Sequence, residues 1–137
     1  MPLRLTRAQA DEIVAHAQET YPNECVGLLA GREGRVLRVY RGRNVDESPY
    51  TYRLDDRQLL AILRELDEER LDLVGIYHSH TASDAYPSRT DVARAFYPDA
   101  VYVIVSLKDR AGPVLRGFRI VDGAVTEEPL ELEAVSP

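Results

Sequence analysis

Residues 73–93 read Leu73-Val74-Gly75-Ile76-Tyr77-His78-Ser79-His80-Thr81-Ala82-Ser83-Asp84-Ala85-Tyr86-Pro87-Ser88-Arg89-Thr90-Asp91-Val92-Ala93. Leu73 to Tyr77 is a short, almost unbroken apolar run, the pattern of a strand buried on both faces. Residues 79–87 are polar and end in proline, which predicts a loop. Ser88 stands three residues before Asp91 and ahead of Val92, Ala93, Ala95 and Phe96, the signature of a capped helix. Strand, loop and helix in direct succession mark an α/β protein.

The flanking sequence repeats that alternation. Upstream, Asp55 caps a predicted helix whose apolar positions are Leu59, Leu60, Ile62, Leu63 and Leu66, ending near Arg70. Residues 42–49, with Gly42, Asn44 and Pro49, predict a loop, and Tyr50 to Leu54 a short strand. Earlier still, residues 25–31 and Val36 to Tyr40 predict a hairpin turning at Arg32-Glu33-Gly34. Thr6 and Gln9 form a capping box for a helix over 7–20, with Ala10, Ile13, Val14 and Ala17 on one face. Downstream, residues 101–107 form the most strand-like segment. Strands at 114–121 and 124–130 then meet at Asp122-Gly123. The expectation is a single α/β domain over residues 1–137, a mixed β-sheet sandwiched by helices, without repeats or linkers.

Composition narrows the function. With 137 residues and 45% hydrophobic content, the chain can build one core and is not a disordered protein. Seventeen basic residues against 23 acidic ones give a net charge of −6, which argues against nucleic acid as a partner. Cys25 is the only cysteine, so an intrachain disulfide and a thiolate metal cluster are both excluded. No apolar run approaches the roughly 18–20 residues that span a bilayer, and the N-terminus lacks a signal-peptide core. A cytoplasmic protein with no membrane partner is expected.

The chemistry concentrates at His78 and His80. Two residues apart on an extended chain, their side chains point to the same side, and both imidazoles could reach one metal ion at roughly 2.0–2.1 Å. A His-X-His pair alone reads equally well as two unliganded histidines, so a third ligand matters. Asp91, in the first turn of the following helix, is the better-placed carboxylate; Asp84 in the loop is a rival that spacing does not separate. Ser88 to Asp91 also reads simply as a helix cap. Two imidazoles and one carboxylate would leave a tetrahedral zinc one open position, as catalytic sites do. Glu24, just before the strand at 25–31, could be carried beside the histidines as a general base; otherwise it is an exposed carboxylate in a turn. Cys25 reads as a small buried hydrophobe and His16 as a surface residue. A cysteine hydrolase built on Cys25 is the competing enzyme reading, and it predicts sensitivity to thiol alkylation and none to chelators.

Glu24, His78-Ser79-His80 and Ser88-Arg89-Thr90-Asp91, in that order, resemble the JAMM or MPN-plus zinc metallopeptidases, as does Glu24-Cys25-Val26-Gly27-Leu28-Leu29. The resemblance covers residues 22–107. It implies one zinc per chain on His78, His80 and Asp91, Glu24 as acid/base, and Ser88 steadying an oxyanion. It also implies a cytidine-deaminase-like α/β fold. The His-X-Glu and Pro-Cys-X-X-Cys signature of the zinc deaminases themselves is missing. Many family members that cut ubiquitin carry proline after the second histidine, where this chain has Thr81. Residues 78–91 instead resemble the short bacterial branch, which includes a peptidase that frees cysteine from the C-terminus of a ubiquitin-like sulfur-carrier protein. The partner so implied carries a glycine-rich tail, paired with a sheet edge or loop near the site. A general deconjugating isopeptidase and a metal-free MPN scaffold are the alternatives. The oligomeric state stays open, a homodimer included.

Overall fold

The structure, a computed structural model, describes residues 2–134; residue 1 and residues 135–137, the two ends of the expected 1–137 domain, lie outside the described residues. Leu3 and Leu5 alternate with polar neighbours and build a first strand, β1 (Leu3–Thr6). Helix α1 (Arg7–Thr20) follows at once. Thr6 Oγ1 accepts from the Gln9 N–H at 3.1 Å and Gln9 Oε1 from the Thr6 N–H at 2.9 Å, as the capping box predicts. Strands β2 (Val26–Arg32) and β3 (Arg35–Arg41) form the expected hairpin, turning through Glu33 and Gly34 at φ 52° and 75°.

Helix α2 (Asp56–Glu69) is capped by Asp55 and ends at Arg70 in a left-handed conformation. Strand β4 (Asp72–His80), short helix α3 (Arg89–Ala93) and strand β5 (Val101–Ser106) follow. Strands β6 (Val114–Val121), β7 (Ala124–Glu128) and β8 (Leu130–Glu133) complete the chain. The strands form one mixed sheet in the order β7-β6-β5-β4-β2-β3-β1-β8, with β4/β5, β1/β3 and β1/β8 parallel.

Four expectations need correction. Strand β1 is additional to the expected elements, because only Leu3 and Leu5 mark its four residues as a strand in the sequence. The strand expected over 124–130 is two strands. Pro129 has no N–H to give the ladder, and after it the chain leaves β6 to pair with β1 at the sheet's other end. One bent segment therefore joins both ends of the sheet, which curls around α1. The strand expected at Tyr50 to Leu54 is irregular apart from a single Asn44–Leu54 bridge. Finally, β4 runs on through His80, so both histidines sit inside a strand flanked by β2 and β5 rather than at the mouth of a loop.

Two apolar layers hold the helices. Ala10, Ile13 and Ala17 of α1 pack on Leu29, Tyr77, Val103 and Val105. Ile62 and Leu66 of α2 pack on Leu28, Ile76 and Tyr102 of the opposite face. Among the described residues no helix is long and apolar enough to cross a membrane.

Candidate metal centre

The register of β2 against β4 sets the site. Val26 pairs with His78, and the Ser79 N–H donates to the Cys25 carbonyl while the Cys25 N–H donates to Ser79 Oγ at 2.8 Å. One step further along that register, Glu24 stands across from His80. Because side chains alternate, Glu24, Val26, His78 and His80 all point to the α2 face. Glu24 is buried, and its main chain is held on both sides: its N–H donates to the Ser48 carbonyl at 2.8 Å and its carbonyl accepts from Asn44 Nδ2 at 3.0 Å.

His78, His80 and Asp91 converge. Asp91 Oδ2 lies 3.1 Å from His78 Nε2 and 2.8 Å from His80 Nε2, and the two nitrogens are 3.2 Å apart. All three residues are buried. His80 Nδ1 lies 2.8 Å from the Asp84 carbonyl, which can only accept, so Nδ1 carries the proton and Nε2 turns a lone pair inward. Two nitrogens and a carboxylate oxygen so close need a shared proton or cation between them. Two further buried atoms there, Glu24 Oε1 and His78 Nδ1, have no hydrogen-bond partner among the described residues. The arrangement could hold a metal ion, and its imidazole and carboxylate donors suit one of zinc's kind.

The helix cap and the cluster use the same residues. Asp91 Oδ2 also accepts from the Ser88 N–H at 2.9 Å, while Ser88 Oγ accepts from the Asp91 N–H at 3.0 Å. The capping box is what aims Asp91 at the histidines. Asp84 is not brought in through its carboxylate, which is exposed and pairs with Lys108 Nζ at 3.2 Å; it contributes only its carbonyl.

Burial raises the Glu24 carboxyl pKa to about 8, with nearby His80 pulling it down and Asp91 pushing it up. Asp91 behaves oppositely: burial pushes it up, but hydrogen bonds from His78 and His80 hold it well below the usual carboxylate range. Burial lowers His78. For His80 burial also works downward, but its bonds to Asp91 and the Asp84 carbonyl leave it raised. A carboxyl at about 8 in the folded state and 4.5 when exposed keeps a proton that the unfolded chain releases. In chelated protein, Glu24 therefore costs stability as pH rises from 5 to 8, with a slope of at most about 1.4 kcal/mol per pH unit. Metal-free Glu24→Gln should gain melting temperature over the parent progressively across that window and hold the gain above it. A gap that does not change with pH would contradict this.

Sequence reading misplaced His16. It is buried, with Nδ1 2.6 Å from the Tyr77 hydroxyl on the α1 face. Gly27 allows this, since a Cβ there would lie 2.1 Å from the Tyr77 ring. Cys25 is 1% exposed and its thiol is pushed up to about 12 by burial, so it supplies no thiolate nucleophile. Two residues went unnoticed as part of the site: Asn44, and Tyr52, whose ring stacks on His78 at 4.2 Å. In the sequence both lie in a stretch whose polar and turn-forming residues suggest only a loop.

The family model for prokaryotic homologs of the JAB domain matches residues 6–121, which hold every residue of the cluster. The chain belongs to the prokaryotic JAB family. JAB proteins are of metallopeptidase type, and this JAB chain is an enzyme of that kind. It is 50% identical over 122 residues to the CysO-cysteine peptidase of Mycobacterium tuberculosis, covering 88% of this chain and 84% of that one. It is 38% identical over 111 residues to the desampylase of Haloferax volcanii, covering 76% and 80%. A solution structure of a Desulfitobacterium hafniense protein superposes with a TM-score of 0.86 at 37% identity, covering 96% of this chain and 93% of that one. The JAB sheet with helices on both faces is thus the architecture expected from the sequence.

Proposed function

We propose that this JAB chain works as one catalytic domain, a zinc peptidase that hydrolyses the bond joining cysteine to the C-terminal tail of a ubiquitin-like sulfur-carrier protein. The convergence of His78, His80 and Asp91 beside Glu24 carries the chemical half of this reading. The half-identity to a peptidase named for CysO-cysteine carries the substrate half.

A zinc ion on His78, His80 and Asp91 would supply Lewis-acid chemistry, acidifying a water and polarising the scissile carbonyl. Glu24 takes one proton from the attacking water and delivers it to the leaving amine nitrogen. Ser88 Oγ accepts from the Asp91 N–H, so its own hydrogen is free to be donated to the developing oxyanion. Ser88→Ala should lower kcat by about 10²–10³. Losing the cap costs about 1 kcal/mol of stability as well. Zinc stoichiometry measured beside kcat separates the two, and a variant with full turnover would remove Ser88 from the reaction.

The centre lies on the middle strands β2 and β4, and the two ends of the sheet are joined by β7 and β8. A glycine-rich tail would therefore reach it over the loops, where glycines permit close backbone approach. A cavity of about 360 Å³ that shares the Tyr52 ring with the surroundings of His78, and is lined further by Leu54, Leu59, Phe96, Tyr97 and Tyr102, offers room for the carrier side of the substrate. The test incubates zinc-loaded enzyme with carrier–cysteine and carrier–lysine conjugates and follows the products by mass spectrometry. Release of cysteine is expected. Cleavage of the lysine conjugate alone would favour a general deconjugating isopeptidase, the reading that the desampylase relative supports.

A further inference from the structure

Residues 44–53 form neither helix nor strand, yet they contact Glu24, His78, Thr81 and the residue that ends α3. Asn44 organises them. It is buried, and its amide is used to capacity. Nδ2 donates to the carbonyls of Glu24 and Thr51, both at 3.0 Å, and Oδ1 accepts from the Asp46 and Arg53 N–H groups, both at 3.0 Å. The segment thus folded presents the Ser48 carbonyl to the Glu24 N–H, the Pro49 carbonyl to Thr81 Oγ1 at 3.1 Å, and the Tyr52 ring to His78. Arg94 closes its far side, donating at 3.0 Å to both the Tyr52 carbonyl and Asp46 Oδ2.

Glu24 needs this support. It precedes β2, so no strand ladder fixes it, and its Oε1 has no partner among the described residues. The direction of the carboxylate is therefore set by its backbone, and both hydrogen-bonding groups of that backbone are held by residues 44–48. We infer that residues 44–53 are a clamp pinned by Asn44, and that Asn44 is a positioning residue that aims Glu24 at the reacting atoms. The inference rests on the reading of Glu24 as the base. A misplacement of about 1 Å in a reacting group can cost on the order of 10²-fold in rate, so a loosened clamp should appear in kcat.

The test compares Asn44→Ala, Asn44→Asp and Arg94→Gln with Glu24→Gln. Asn44→Asp keeps the two acceptor contacts but loses both donors; Arg94→Gln opens the clamp at its exposed end without touching the base. Ile13→Val, in the core beneath the other face, controls for mere loss of stability. Amide hydrogen exchange at Glu24, Asp46 and Arg53 reads the clamp independently of activity, and zinc stoichiometry is followed alongside. Asn44→Ala should speed exchange at Glu24, lower kcat by about 10–100-fold and leave KM within about threefold, with zinc retained. Arg94→Gln should move the same quantities less, and Ile13→Val should keep its kcat. Unchanged exchange at Glu24, or faster exchange with full kcat, would overturn the clamp. Full turnover in Glu24→Gln would instead overturn the base reading beneath it.

Discussion

Purified Asp91→Ala should bind almost no zinc after dialysis, where the parent chain holds about one equivalent, as zinc sites of three protein ligands do. Asp91 Oδ2 is the atom both imidazoles share, at 3.1 and 2.8 Å. Without it, the two imidazoles have no anionic partner between them, and among the described residues the nearby carboxylate is Glu24. Losing an outer hydrogen bond to a ligand costs about 10–100-fold in metal affinity, and losing the ligand itself should cost more. The complication is structural, because the same oxygen accepts from the Ser88 N–H and helps start α3. Asp91→Asn resolves it: the amide oxygen can still cap the helix, while the negative ligand is gone. Zinc loss in both variants, read by chelator competition, assigns the effect to the carboxylate. Parental zinc content in Asp91→Ala would mean that the metal sits elsewhere.

The second large effect is at Glu24. Glu24→Gln should keep its zinc and lose turnover by about 10²–10⁴-fold, the range expected for a general acid–base group. Gln has the same shape and fits a site that burial already biases toward a neutral carboxyl, so the fold should be undisturbed or stabilised. What it lacks is the ability to take a proton. KM should stay near the parental value, because the carboxylate acts on water and the leaving nitrogen rather than on the bound tail. Parental kcat in a zinc-replete Glu24→Gln would require another base, and among the described residues no other His, Cys, Asp or Glu joins the cluster of His78, His80 and Asp91.

The elements that surround the centre were legible because periodicity and caps are local. Thr6/Gln9, Asp55 and Ser88/Asp91 cap α1, α2 and α3 at the residues where the sequence predicted them. His78 and His80 share a face because a strand has period two. What escaped was decided by partners far away in sequence. β1 exists because Leu3 and Leu5 pair beside β3 and β8, and four residues give periodicity little to work on. Pro129 falls inside the strand expected over 124–130 but is the point where the chain crosses to the opposite end of the sheet. Tyr50 to Leu54 has the composition of a strand, yet Asn44 takes the Arg53 N–H and the Thr51 carbonyl that a ladder would use. His16 looked like a surface residue because its partner, Tyr77, is 61 residues away. The burial of Glu24 likewise needed the β2–β4 register and residues 44–53, and neither leaves a mark beside Glu24 in the sequence.

X-ray absorption at the zinc edge on the zinc-loaded parent chain, paired with a crystal structure of the same sample, tests the central claim most directly. The account predicts one zinc per chain with two imidazole nitrogens at roughly 2.0–2.1 Å and one carboxylate oxygen at roughly 2.0–2.2 Å. Those ligands should be His78, His80 and Asp91, with Glu24 alongside and unligated. A zinc bound elsewhere, or these three side chains free of metal in a zinc-saturated crystal, would contradict it.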